Sequence, residues 1–208
     1  RKVVVNLKKT IIKNVNPMIE NKFIGLFEIE YKNKLDEDKV WMVASRKSSE
    51  QLKNIYLKNE EDSVDAVVIV GFHKSSKKLI LIRQFRVPIN GYIYELPAGL
   101  VDEGESIDIS VERELREETG LTLLEIKKNK SIDKVYLSPG MSDESVAFVY
   151  CICDGDITDE FLEPDEEIEA LLISQEDAKE ILQSNHKIDT KAFLILQMFV
   201  SLGAKLFE

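Results

Sequence analysis

Apolar and polar residues recur along this chain at two different periods, which divides it into strand-like and helix-like stretches. NKFIGLFEIEYKN (21–33) and DKVWMVASRK (38–47) alternate in part and are separated by the polar KLDED, a pattern that predicts a β-hairpin. VDAVVIVGFH (64–73) is a β-branched apolar run, HKSSKK turns the chain, and KLILIRQFR (78–86) returns as a strand that Pro88 ends. IYELPAG (93–99) is a short strand entering a glycine turn. From Ser106 to Thr119 the period lengthens: Ile107, Ser110, Val111 and Leu115 recur three and four residues apart, predicting a helix with Gly120 as its stop. IDKVYLS, SVAFVYCICD and IEALLIS read as further strands, QEDAKEILQSN as a short helix, and DTKAFLILQMFVSLGAKL as a closing helix with a broad apolar face. Interleaved strands and helices predict an α/β (α+β) chain with a mixed sheet covered by helices. Residues 1–60 form a smaller β-rich segment ahead of the main domain, 61–208.

The 208 residues suit one substantial domain with a small appendage, and 44% hydrophobic with 32% charged residues is ordinary for a globular protein. A net charge of −10 argues against general nucleic-acid binding, which leaves a basic footprint. It leaves room for a small phosphorylated ligand, because carboxylates that capture a divalent cation turn an acidic site into a phosphate site. No stretch approaches the roughly 20 apolar residues of a membrane span. The basic start, RKVVVNLKKTIIKN, is interrupted by Asn and Lys and shows no signal peptide. Cys151 and Cys153 are expected on opposite faces of a strand, as reduced and inert thiols of a cytoplasmic protein. Neither histidine, His73 nor His186, has a metal-binding partner at a suitable spacing, which argues against a histidine zinc site.

The chemistry concentrates in GLVDEGESIDISVERELREETGL, Gly99 to Leu121. On a helix Glu114 and Glu118 lie one turn apart on one face with Glu117 beside them, and three like charges so close invite a cation. Oxygen ligands with incomplete protein coordination suit Mg²⁺, with Mn²⁺ as the alternative. Arg113 and Glu117 are four residues apart, so an ion pair would orient that carboxylate. Taken alone, ERELREE reads as a solvated helix face; the resemblance given next, in which Gly99, Glu105 and Gly120 hold set places, overturns that reading.

The segment resembles the Nudix box, G-x5-E-x7-R-E-U-x-E-E-x-G-U with U aliphatic, and Gly99, Glu105, Arg113, Glu114, Leu115, Glu117, Glu118, Gly120 and Leu121 fill every specified position. The resemblance implies an α/β/α sandwich around a mixed sheet and a magnesium-dependent hydrolase of nucleoside diphosphate derivatives. It implies metal ligation by Glu114, Glu117, Glu118 and the carbonyl of Ala98, with Glu117 also serving catalysis. Upstream, RQFRVP and YELPAG resemble the approach to the box in ADP-ribose and ADP-sugar pyrophosphatases, which puts Arg86 and Glu95 near substrate. Downstream, LSPGMSDES resembles the S-P-G-x-x-x-E loop of ADP-ribose pyrophosphatases, with Pro139 as a marker of substrate class and Glu144 as general base; Asp143 is the alternative base. Trp41 and Arg46 match a pair that some dimeric ADP-ribose hydrolases extend into the partner subunit's site, where the tryptophan stacks on adenine. Otherwise Trp41 is a core or interface residue, Arg86 a surface arginine, and Pro139 part of an ordinary turn.

The expectation is hydrolysis of ADP-ribose to AMP and ribose 5-phosphate by a homodimer whose 1–60 segments dimerise and complete the site. The substrate is a small molecule, with no nucleic acid and no membrane as partner. The alternatives are another nucleotide sugar, such as ADP-glucose or GDP-mannose, and a non-catalytic ADP-ribose sensor.

Overall fold

The computed structural model describes residues 9–164 and 166–208; the first eight residues, where the basic N-terminal segment begins, lie outside the described residues. The chain forms two compact units. One runs as far as Asp65 and takes in Tyr136–Ser145; the other comprises Ala66–Val135 and Val146–Glu208.

In the first unit, strands β1 (Ile11–Ile19), β2 (Gly25–Lys32) and β3 (Asp38–Ser45) form an antiparallel sheet in that order. The register sets Phe27 opposite Val43 and Ile29 opposite Trp41, so these four side chains share a face. Val15, Phe27 and Ile29 pack there with Leu52 of helix α1 (Ser49–Lys58). The hairpin read from the pattern is β2–β3. The pattern did not show β1 or α1. Register shifts between Ile12 and Asn14 and between Pro17 and Ile19 spoil the alternation of β1. In α1 only Leu52 is buried, a stripe too narrow for periodicity to register. Its local signal was the capping box, in which Ser48 and Gln51 satisfy each other's backbone N–H.

The second unit is built on strands β4 (Ala66–His73), β5 (Lys78–Arg86), β6 (Gly91–Glu95), β7 (Ala98–Leu100), β8 (Thr122–Ile126), β9 (Ile132–Tyr136), β10 (Ser145–Asp154) and β11 (Ile168–Ile173). Its sheet runs β11-β5-β4-β10-β8, with β6 on β5, β7 on β4 and β9 on β10. β4 and β10 are parallel, with Val68 opposite Phe148, so the sheet is mixed. Every residue of β4 is buried, which is why VDAVVIVGFH reads as a continuous apolar run instead of an alternation. One face of the sheet presents Val68, Val70, Leu79 and Leu81 to helices α3 (Gln175–Gln183) and α4 (Thr190–Leu202). Helix α2 (Ile107–Thr119) packs on β4 and β7 through buried Val111 and Leu115. The result is the expected sandwich of helices about a mixed sheet.

Two expectations change. Cys151 and Cys153 are both buried and free, and their i, i+2 spacing places them on the same face, since side chains along a strand repeat every second residue. The opposite-face expectation is corrected. Burial pushes the Cys153 thiol up to about 12 and Cys151 higher still, so both are unreactive. Residues 190–207 do form a helical stretch long and apolar enough to cross a membrane, where none was expected. Ala192, Ile195, Leu196 and Phe199 within it are packed in the core of the sheet.

Helix α2 carries the box, and its ends are fixed by sequence. The Ser106 side chain accepts from Ile109 N–H at the start, and Gly120 closes the end at φ 76° in the left-handed region. A Cβ on Gly120 would also lie 2.3 Å from Thr158 Cγ2 and 2.9 Å from Thr158 N. Gly120→Ala should therefore lower stability by about 2–4 kcal/mol, combining left-handed strain with overpacking. Urea unfolding would show this, and an unchanged midpoint would contradict the close approach.

Candidate active site

The carboxylates of Glu95, Glu105, Glu114, Glu117 and Glu118 and the guanidinium groups of Arg86 and Arg113, all of the second unit, gather around the contact of α2 with β7. Arg113 is the hub. Its Nε donates to Glu105 Oε1 at 3.0 Å, and its Nη2 to Glu105 Oε2 and the Leu100 carbonyl at 2.9 Å each. Its Nη1 reaches Glu114 Oε1 at 2.6 Å and Glu117 Oε2 at 3.1 Å. Glu105 also accepts from Ser110 Oγ at 2.6 Å. Together Arg113 and Ser110 hold the Glu105 carboxyl down at about 2, well below the usual range. Glu105 thus braces the loop before α2.

The chemistry-bearing face lies beyond this brace. Glu114 is 9% exposed and Glu118 4% exposed. Glu118 accepts from Ala98 N–H at 2.9 Å, which puts its carboxylate against the residue that precedes the box. Gly99 is needed because a Cβ there would sit 1.9 Å from Glu114 Cδ, inside the carboxylate. Burial raises the Glu118 pKa well above normal, the Ala98 N–H opposes this, and the charges of Glu114 and Glu166 raise it further. Burial likewise raises Glu114; Arg113 opposes it, while Glu117 and Glu166 add to it.

Arg86 and Glu95 are brought to the same place. Arg86 Nε donates to Glu95 Oε2 at 2.7 Å, Gln84 Nε2 to the same oxygen at 2.9 Å, and the Arg86 charge acts on Glu118. Antiparallel pairing of β5 with β6 sets Arg86 opposite Gly91 and Ile82 opposite Glu95, which places Gln84, Arg86 and Glu95 on one face, where the long side chains reach along the pair to meet. Glu166 was not singled out by the sequence. It lies in EPDEEIE, an acidic run with no spacing to distinguish one carboxylate from another. Reciprocal bonds close a tight turn there: Glu163 N–H to Glu166 Oε2 and Glu166 N–H to the Glu163 carbonyl, both at 3.0 Å.

The remaining candidates belong to the first unit. Trp41 is 51% exposed, and its Nε1 donates to the Gly140 carbonyl at 3.3 Å. Its ring borders an apolar hollow of about 250 Å³ that Ile29, Tyr31 and Tyr56 also line. Pro139 is exposed in a turn closed by Met141 N–H on the Ser138 carbonyl at 2.9 Å. Arg46 Nε donates to Glu144 Oε1 at 2.9 Å, with both side chains partly exposed. Asp143, the neighbouring candidate, accepts from Ser45 Oγ at 3.0 Å instead.

With this geometry in view, comparison with known proteins is direct. The NUDIX domain family model matches residues 62–194, and the chain belongs to that family. It is 35% identical over 122 residues to the ADP-ribose pyrophosphatase of Bacillus subtilis, covering 58% of this chain and 64% of that protein. It is 32% identical over 141 residues to the ADP-ribose pyrophosphatase of Saccharomyces cerevisiae, covering 66% of this chain and 55% of that protein. The chain therefore spans under two thirds of the length of both relatives. A crystal structure of an ADP compounds hydrolase superposes with a TM-score of 0.69 at 20% identity, over 97% of this chain and 100% of that one, which establishes the common fold.

The donor set fits the hard divalent cation that such a family implies. Glu114 and Glu118 are buried carboxylates whose mutual repulsion and desolvation a cation would relieve, and the acceptors nearby are all oxygen. Among the described residues no three such groups are already drawn into a coordination shell. Glu114 and Glu117 accept from Arg113 and Glu118 accepts from Ala98 N–H, each through one carboxylate oxygen.

The Glu105 brace makes a pH prediction. Its folded pKa is depressed from 4.5 to about 2, so its contribution is complete above about 4.5 and is lost as pH falls toward about 2. Glu105→Gln should flatten the decline of stability across that window. Equal acid sensitivity in variant and parent, measured by urea unfolding at several pH values, would contradict the assignment.

Proposed function

We propose that the chain is a Mg²⁺-dependent hydrolase of the diphosphate bond of ADP-ribose, releasing AMP and ribose 5-phosphate. One observation carries this reading: a 4%-exposed carboxylate, Glu118, lies against Ala98 with Glu114 beside it and Arg86 within electrostatic reach. Such a group is stable in ionised form only with cationic help. The curated ADP-ribose pyrophosphatases to which the chain is similar support the choice of substrate.

Glu114, Glu117, Glu118 and the Ala98 carbonyl would hold the cation, Mg²⁺ or alternatively Mn²⁺. A cation there supplies charge neutralisation at the diphosphate oxygens and Lewis acidity toward water. Arg113 orients Glu114 and Glu117 through one shared donor. Arg86, fixed by Glu95, bears on the substrate, and Pro139 shapes the loop of Glu144. Glu144 accepts the proton of the attacking water in this reading, with Asp143 as its alternative. The charge of Glu166 acts on both Glu114 and Glu118 and adds to their need for a cation. Residues 1–60 dimerise the chain, and Trp41 with Arg46 completes the partner's substrate site. The free thiols of Cys151 and Cys153 suit a reducing, cytoplasmic setting. ADP-glucose, GDP-mannose and a sensor role remain the alternatives to be measured against.

With Mg²⁺ the protein should hydrolyse ADP-ribose, and EDTA should abolish turnover reversibly. Glu118→Gln should lower kcat by about 10²-fold or more with the fold retained. Unchanged turnover in excess EDTA, or a fully active Glu118→Gln protein, would overturn the metal reading. In the same assay Glu144→Gln and Asp143→Asn separate the two candidate bases, because the larger kcat loss identifies the proton acceptor.

The shared site makes a separate demand. Trp41→Ala should weaken ADP-ribose binding roughly 5- to 150-fold, the worth of one base–aromatic stack, with little change in kcat. A Glu118→Gln, Glu144→Gln chain mixed with a Trp41→Ala chain should regain one tight site per heterodimer. A mixture with no tight site, or sedimentation as monomers only, would rule out sharing while leaving the family assignment intact.

A further inference from the structure

Lys47 belongs to no motif that the sequence points to, yet it is among the most buried charged side chains, at 7% exposure. Its ammonium lies 2.7 Å from Asp65 Oδ1, 3.3 Å from Asp62 Oδ1 and 3.4 Å from Asp143 Oδ2. Burial works to lower its pKa, but the hydrogen bond to Asp65 and the charges of Asp143, Asp65 and Asp62 outweigh it and raise the pKa, so the ammonium stays charged. The same three charges make it hard to remove, since one cation offsets three anions.

The partners of this ammonium fall on both sides of Glu144. Asp143, the residue before, meets Lys47 and accepts from Ser45 Oγ at 3.0 Å. Ser145, the residue after, donates to Asp65 Oδ2 through its N–H at 2.8 Å and its hydroxyl at 3.1 Å, while Asp65 N–H donates to the Ser145 carbonyl at 3.0 Å. Lys47 binds Asp65 and Asp143 together, so a single ammonium fixes the chain immediately before and after Glu144. The consecutive residues Arg46 and Lys47 thus engage the consecutive acids Glu144 and Asp143. The Leu137 N–H closes the loop on the Glu144 carbonyl at 3.1 Å. Arg46 is exposed and meets the Glu144 side chain, whereas Lys47 is buried and sets the backbone that carries it.

We infer that Lys47 is a positioning residue: its buried ammonium, acting through Asp65 and Asp143, holds the 137–145 loop so that the Glu144 carboxylate is presented in one fixed place. The inference rests on the reading of Glu144 as a catalytic carboxylate. Lys47 touches no reacting atom; it acts by limiting where the base can go, and a displacement near 1 Å costs about 10²-fold in rate.

Two substitutions cut the same strut, Lys47→Met at its centre and Asp65→Asn at its end, and either suffices if the other fails to fold. Amide hydrogen exchange of the full chain should quicken about 10-fold or more within 137–145 and stay unchanged in β4 and β5. With ADP-ribose and Mg²⁺, kcat should fall about 10²-fold while KM moves little. In a Glu144→Gln background the substitution should cost nothing further, because the group it positions is already gone. Unchanged exchange in 137–145 of a folded variant, or losses that multiply with Glu144→Gln, would overturn the inference. A fully active Glu144→Gln protein would also overturn it while leaving metal-dependent hydrolysis standing. A parent protein that hydrolyses no ADP-ribose while 137–145 still loosens would instead sink the substrate reading and support the strut.

Discussion

Everything in the box depends on keeping carboxylates ionised where little water reaches them. Taking a charge out of water costs several kcal/mol unless a partner compensates, and like charges side by side add to that cost. Glu114 and Glu118 carry both penalties, and their raised pKa values express them. A divalent cation of the kind such a family uses would supply compensation of this sort, and the neighbouring groups satisfy the pair only in part. Arg113 satisfies one side of Glu114, Ala98 N–H satisfies one oxygen of Glu118, and Gly99 leaves room for the Glu114 carboxylate. A fully paired helix face would be more stable and would have no affinity for metal.

The first unit solves the same problem in the opposite sense. Asp62, Asp65 and Asp143 surround Lys47, which stays charged because they do. Losing one partner of a buried pair costs about 3–5 kcal/mol, since the survivor remains without compensation. That penalty is what gives the cluster its rigidity. This cluster carries its cation within the chain, as the ammonium of Lys47.

What the sequence made legible follows from which constraints leave a fixed spacing. The box was readable because a glycine, a brace and three carboxylates must fall at set intervals on a loop and helix, and Gly99, Glu105 and Arg113 all have contacts that account for their places. Strands β4, β5 and β10 were readable because burial makes them apolar. Strand β1 was hidden by its register shifts and α1 by having one buried residue. The shared face of Cys151 and Cys153 follows from the two-residue period, which the opposite-face expectation misapplied. Glu166 and Lys47 were hidden for a deeper reason. Each acts on residues far away in sequence, and an acidic run or a lone lysine looks the same whether its partners are solvent or a buried cluster.

The choice of arginine at position 113 joins the structural and chemical halves of the box. Nε and Nη2 belong to Glu105 and the Leu100 carbonyl, which are fixed parts of the loop, whereas Nη1 alone serves Glu114 and Glu117. If those carboxylates turn toward a cation, the guanidinium surrenders one donor and keeps its anchor. A lysine has a single nitrogen and could not remain fixed to Glu105 while releasing Glu114, because the same ammonium would have to do both. The planar fork therefore lets the loop before α2 stay rigid through any rearrangement of the acidic face. Two of the three guanidinium nitrogens thus belong to the loop and one to the helix face, so the loop before α2 keeps its anchor whatever Glu114 and Glu117 meet.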